Sequence, residues 1–145
     1  MNSTMTKEAI LQVCKKMCEH TLMETLEIEF TDVDIENETL TASMPVTPKV
    51  HQPDGVLHGG ATAALAESVG SAACYIFLDA KNFMIRGIEI SANHLKSVKA
   101  GKVHATASFV HKGRTTQLWE IKVVNDEGVL ISQCKLSTIT LPKRS

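Results

Sequence analysis

Between Val50 and Leu78 the chain reads VHQPDGVLHGGATAALAESVGSAACYIFL, and from Gly59 onward this stretch holds one carboxylate, Glu67, and no basic residue. About twenty residues without proline, rich in Ala and Leu, favour a helix in spite of the glycines. Pro53, Asp54 and Gly55 supply a turn ahead of it. Glycines at positions 59 and 60 fall in the first helical turn. There a ligand can come close to backbone N–H groups that have no intrahelical partner, at the positive end of the helix dipole. Glu67 follows two turns later as a candidate base or nucleophile. The plainer alternatives are a carboxylate on a solvated helix face and an ordinary turn at His58-Gly59-Gly60.

The rest of the composition narrows the choice. A chain of 145 residues fits a single domain, 1–145, with its own core. Fifteen Lys and Arg stand against sixteen Asp and Glu. That balance gives no global field for nucleic acid or an anionic membrane, so any phosphate recognition has to be local. Met1 to Cys18 is polar and helical in pattern and lacks the apolar core of an export signal. Cys14, Cys18, Cys74 and Cys134 are then expected to be free thiols in a reducing cytoplasm. Cys14, Cys18 and His20 lack a second ligand pair at zinc spacing, and no metal site is expected. Gly59 to Leu78 is long enough to raise a membrane span. Thr62, Glu67, Ser68 and Ser71 within it, and the lack of a flanking basic cluster, favour a buried helix of a water-soluble domain instead.

Read in order, the chain begins with a helix over about 5–19, whose stripe is Ala9, Ile10, Val13, Cys14 and Met17. A further short helical turn over Thr21 to Leu26 leads into a strand over Glu27 to Asp34. Asn37 marks a turn, and a second strand runs from Thr39 to Met44, ended by Pro45. After the central helix come strands over Met84–Leu95, Val103–Val110, Gln117–Val124 and Val129–Leu141. Gly101 and the turns Lys112-Gly113 and Asp126-Glu127-Gly128 separate the later ones. A meander of strands with one apolar helix predicts an α+β fold, an antiparallel sheet wrapped around that helix, with open edges that invite a second copy.

At HQPDGVLHGGATAALAESVGS the chain resembles the hotdog-fold acyl-CoA thioesterases, and the likeness extends from Leu26 to Leu141. It is most similar to the glutamate-using branch that includes the 4-hydroxybenzoyl-CoA and 1,4-dihydroxy-2-naphthoyl-CoA thioesterases. The related phenylacetyl-CoA branch carries Asp where this chain has Glu67. The resemblance implies a hotdog fold and thioester hydrolysis, with Glu67 as nucleophile or general base. It also implies Gly59 as the backbone donor to the thioester oxygen, Gln52 near the attacked centre, and His58 and Ser71 in the active site. For the coenzyme it implies contacts from His94 and from the turn of His111, Lys112, Gly113 and Arg114. Two local clusters thus offer cations to the coenzyme phosphates, His94 with Lys96 at the end of one strand and His111, Lys112 and Arg114 at a hairpin turn, although Lys96-Ser97 stands where relatives commonly have Arg-Pro. Coenzyme A is part of the substrate, so no separate cofactor is expected.

Preorganised N–H groups at a helix start suit the negative charge that grows on a thioester oxygen under attack. Gly59, with Gly60 as a second donor, is placed to supply them. Glu67 either deprotonates water or forms a mixed anhydride that water cleaves. Gln52 and Ser71 orient the water or the carboxylate, and Gly87 lets the pantetheine arm pass close to a strand. Gly59 and Glu67 are eight residues apart, roughly 12 Å along a helix, too far to share one carbonyl carbon. Two antiparallel helices side by side solve this, with Gly59 and Gln52 of one subunit meeting Glu67 and Ser71 of the other. The expected assembly is therefore a homodimer with shared sites, or a tetramer of two such dimers. An aromatic or otherwise bulky acyl-CoA is the leading substrate. A broad-specificity or acyl-carrier-protein housekeeping thioesterase and a non-catalytic acyl-CoA binding protein are the alternatives. His20, His51 and His104 read as ordinary histidines, and Trp119 as packing.

Overall fold

A computed structural model describes residues 5–144, so residues 1–4 and 145 of the expected 1–145 domain, with the start of the Met1–Cys18 segment, lie outside it. Helix α1 (Lys7–Cys18) begins where the Thr6 hydroxyl accepts the Ala9 N–H at 3.1 Å. Glu8 in its first turn and Lys15 and Lys16 in its last complement the helix dipole. Helix α2 (Leu22–Thr25) is a single turn. Strands β1 (Glu29–Asp34) and β2 (Thr39–Pro45) follow, then a 3-10 turn at Pro48–Val50 and the long helix α3 (Gly59–Phe77). Strands β3 (Phe83–His94), β4 (Lys102–Lys112), β5 (Thr116–Asn125) and β6 (Leu130–Pro142) complete the chain. Every expected element is present within a few residues of its expected ends.

All strand pairs are antiparallel, in the order β1-β2-β4-β5-β6-β3. The order departs from a simple meander at one strand. β3 lies at the far edge against β6 rather than beside β4. Helix α3 is the reason: it crosses the inner face of the sheet and delivers the chain to the opposite edge. The turn after it is closed by Asp79, which accepts the Phe83 and Asn82 backbone N–H groups. The chain returns over Lys96–Gly101, pinned by Leu57 N–H to Val98 O at 2.8 Å and Val46 N–H to Gly101 O at 2.8 Å.

Alternation along the strands decides the faces. Gln117, Trp119, Ile121 and Val123 point inward and are buried, while Glu120 and Lys122 between them point out. On α3, Leu65, Ala66, Val69, Ala72 and Ala73 are buried against the sheet. The sheet wraps one side of the helix and leaves the other open. Gly60, Glu67, Ser71 and Tyr75 form an exposed stripe on its outer face. A sheet laid on one side of a helix covers half of it, and α1 covers β1 rather than the outer face of α3. No helix among the described residues is long and apolar enough to cross a membrane.

Trp119 sits at the centre of the core with no exposed surface, its ring stacked on Phe109 at 3.7 Å between centroids. Its indole N–H donates to Cys74 Sγ at 3.1 Å. From there a buried polar chain runs from Cys74 Sγ to Thr138 Oγ1 at 3.8 Å, and from the Thr138 hydroxyl to Gln117 Oε1 at 2.7 Å. Gln117 Nε2 ends the chain at Gly113 O, 2.9 Å away. Replacing Trp119 by Ala leaves both a void and this chain without its first donor. Trp119→Ala is expected to lower the unfolding free energy by about 3–5 kcal/mol, measured by urea denaturation.

Candidate active site

The loop before α3 is folded tightly on itself. Gln52 N–H donates to Val56 O at 2.8 Å and Gly55 N–H to Gln52 O at 2.9 Å. Gly55 takes a left-handed φ of 81°, which a side chain would strain. His58 N–H donates to Val50 O at 2.8 Å, so the loop delivers His58 to the N-cap of α3. There His58 Nδ1 accepts the Gly60 N–H at 2.8 Å, and His58 O accepts those of Ala61 and Thr62 at 3.0 and 3.2 Å. One donor of the first turn is left. Among the described residues, the Gly59 N–H has no acceptor. The expected second oxyanion donor is thereby corrected: the Gly60 N–H is already used by His58, because the cap geometry brings the imidazole nitrogen to it.

His94 completes this end of the site. A Cβ on Gly59 would stand 2.8 Å from His94 Nε2, so the absent side chain is what admits the ring. His94 Nδ1 lies 3.0 Å from Ser132 Oγ, whose hydroxyl donates to Asn93 O at 3.1 Å. The Nδ1 side of the ring is thereby engaged, and Nε2 faces the start of α3. Gln52, Gly59, His94 and Lys96 line one pocket of about 240 Å³. The Gln52 amide Nε2 is turned to Asp54 Oδ1 at 2.9 Å, which leaves its carbonyl oxygen for other partners. His94, expected to contact the coenzyme, stands against Gly59, since β3 ends where α3 begins.

Glu67 is elsewhere. Its carboxylate is exposed and lines a second groove, of about 390 Å³, with Ser71 and Tyr75. Across from it Gly87 sits at a bulge in β3, where an added Cβ would be 3.4 Å from Glu67 Oε2. Gly87 and Glu67 are thus neighbours, whereas Gly59 lines the pocket of Gln52 and His94 and Glu67 lines the other groove.

The two cation clusters also lie apart. His94 pairs with Ser132 and Gln117 with Thr138 on β6, six residues further along. That is roughly 20 Å of strand, so Lys96 and Arg114 of one protomer do not grip one phosphate group. The turn from His111 to Arg114 is tightly built: Gly113 N–H donates to Thr116 O at 3.0 Å, and His111 packs where a Gly113 side chain would go. Lys112 is drawn to Glu38 at 2.7 Å and over the Phe109 ring at 5.2 Å, so its charge is partly committed. Three cations not singled out from sequence, Arg86, Lys143 and Arg144, line a cavity of about 730 Å³ with Ser71 and Tyr75. The Lys-Arg pair near the chain end was the available signal.

A pattern of this fold with a helix-start amide and a separate helical carboxylate defines a class. Residues 54–132 match the Thioesterase superfamily, and the chain belongs to that family of hotdog-fold thioester hydrolases. It is 35% identical over 135 residues to the 1,4-dihydroxy-2-naphthoyl-CoA hydrolase of Escherichia coli, covering 93% of this chain and 97% of that one. It is 41% identical over 121 residues to the proofreading thioesterase EntH of Cronobacter turicensis, covering 83% and 86%. A crystal structure of a mutant thioesterase from Pseudomonas aeruginosa superposes with a TM-score of 0.88 at 38% identity, covering 92% of this chain and 94% of that chain. Family membership favours a hydrolase over the non-catalytic binder.

The thiols stand outside this site. All four cysteines are free and buried, and burial pushes the Cys14 thiol up to about 12. Cys18 Sγ donates to Cys14 O at 3.4 Å. Among the described residues no group of three His, Cys, Asp or Glu could hold a metal ion. At pH 8 the native protein is expected to react slowly with a disulfide reagent, and all four thiols to react promptly in denaturant, as counted by thiolate release.

Proposed function

We propose that the protein is an acyl-CoA thioesterase that hydrolyses an aromatic or otherwise bulky acyl-CoA to the free acid and coenzyme A. The observation that carries this is the split of the site. The Gly59 N–H, without an acceptor among the described residues, lies with Gln52 and His94 in one pocket, and Glu67 with Ser71 lies in another. A second copy joins the halves. β3 is a twelve-residue edge strand, and Ile88 on it is 61% exposed. Antiparallel pairing of two β3 edges about a two-fold axis continues the sheet and sets the two α3 helices side by side. The His94 end of one subunit then faces the Phe83 end of its partner, and Gly59 of one approaches Glu67 of the other.

In that arrangement the Gly59 N–H donates to the thioester oxygen while Glu67, from the other subunit, attacks the carbonyl carbon or deprotonates the attacking water. Gln52 and Ser71 orient the attacking group. The same reversal brings Lys96 and the Arg114 turn, separated within a protomer, toward one another across the interface, where coenzyme phosphates need them. Buried reduced thiols support a cytoplasmic setting. The similarity to a proofreading thioesterase favours a second reading, hydrolysis of a broader set of thioesters including carrier-bound ones.

Glu67→Ala is expected to lower kcat by about 10²–10⁴-fold on whichever thioester is best in a panel of aromatic, aliphatic and carrier-bound substrates. The ranking of kcat/KM in that panel separates the two readings, and undiminished hydrolysis by the variant removes Glu67 from the chemistry. Gly59 is the first residue of α3, where Pro is tolerated by the helix; it deletes the N–H and its Cβ crowds His94, so the variant disables this whole half of the site. Equal mixing of Glu67→Ala and Gly59→Pro subunits, each inactive alone, is expected to restore about one quarter of wild-type specific activity, since half the dimers are mixed and hold one intact site of two. No recovery after confirmed exchange of subunits would sink the shared-site arrangement.

A further inference from the structure

Leu22 and Tyr75 are two of the most exposed large apolar side chains, at 60% and 54%, and both open onto the groove that holds Glu67. The floor of that groove is Ala64, Glu67, Ser68 and Ser71 of α3, and the facing wall is Met17, Leu22 and Met23. Glu67 is the single charged residue in its lining. Its volume, about 390 Å³, lies within the range of small-molecule sites.

The wall is an unusual piece of chain. Helix α2 has four residues and buries none of them. Non-glycine residues in the left-handed region bracket it, His20 with φ 60° and Glu27 with φ 57°. Local bonds hold its shape: Thr21 Oγ1 donates to Cys18 O at 2.6 Å and accepts from Met23 N–H at 3.2 Å, and His20 N–H donates to Glu24 Oε2 at 3.3 Å. Backbone in sparsely populated conformations, kept for a turn that rests only Met23 and Leu26 partly on the core and leaves Leu22 exposed, points to a task at the surface. What this turn does is carry Leu22 and Met23 to the rim of the carboxylate groove.

We propose that α2 and the last turn of α1 form the acyl-recognition wall, with Leu22, Met23 and Met17 contacting the acyl group of the thioester that Glu67 attacks. The inference rests on the reading of Glu67 given above and adds what sets the choice of acyl group. Two methionines and a leucine offer an adaptable apolar surface without a hydrogen-bonding group, so the wall favours bulky apolar acyl groups of varied shape over short ones. Its separation in sequence from α3 lets selectivity change without disturbing Gly59, Gln52 or Glu67.

The test compares wild type with the double variant Leu22→Ala/Met23→Ala and with Leu22→Trp, using benzoyl-CoA and acetyl-CoA. The ratio of kcat/KM for benzoyl over acetyl is expected to fall about 10-fold in the double variant, as contacts with the ring are lost. Leu22→Trp narrows the groove and is expected to lower the ratio too. Calorimetric affinity for a non-hydrolysable benzyl-CoA thioether should weaken in parallel in both variants. Ratios and thioether affinities within two-fold of wild type would overturn the proposal, as would a change of oligomeric state with the ratio unaltered, which would make Leu22 a subunit contact. A wild type that hydrolyses nothing but binds the thioether, with binding lost in the variants, would instead remove the catalytic reading and leave the wall standing.

Discussion

The close approach of α3 to the sheet is the constraint on which the other features depend. A Cβ on Gly70 would lie 2.6 Å from Leu136 Cδ2, so the helix backbone rides directly on side chains of β6. Ala66, Ala72 and Ala73 keep the rest of the contact thin, and all are buried. With bulky residues on that side the helix would stand off, and Trp119 would lose the Cys74 sulfur that accepts its N–H. The tight seat also fixes the rotation of the helix. Once the Gly70 side is down, Glu67, Ser71 and Tyr75 are turned outward, four residues apart.

Hydrogen-bond bookkeeping at the start of the same helix decides which amide is available for chemistry. His58 satisfies one donor with its ring and two with its carbonyl, and only the first amide is left. Each of the two glycines has its own steric reason: Gly59 makes way for His94, and Gly60 for the folded-back His58 ring. The His58 cap and the His94–Ser132 pair together shape the pocket around an N–H that is preorganised rather than merely exposed.

Much of this was legible in advance. The apolar stripe of α1, the alternation in β5 and β6 and the turn signals at Gly101 and Gly128 are local patterns, and local geometry obeys them. Both glycines take φ near 80°. Glu67, Gly59 and Gln52 stood out for the same reason, as chemically odd residues in a uniform stretch. The position of β3 did not, because its alternation is equally satisfied beside β4 or beside β6. Nor did the engagement of the Gly60 amide or of Lys112, whose partners His58 and Glu38 are set by loop paths and by contacts across the fold.

The opening stretch by itself determined a helix, a glycine amide at its start and a carboxylate two turns on, since propensity and spacing are properties of the local chain. Tertiary structure alone decided that the amide and the carboxylate open into different pockets, that His94 joins the first and that Leu22 and Met23 wall the second. Those choices depend on how far the sheet covers the helix and on where a strand ends relative to it. Such distances arise from packing between segments remote in sequence, which no window of residues contains.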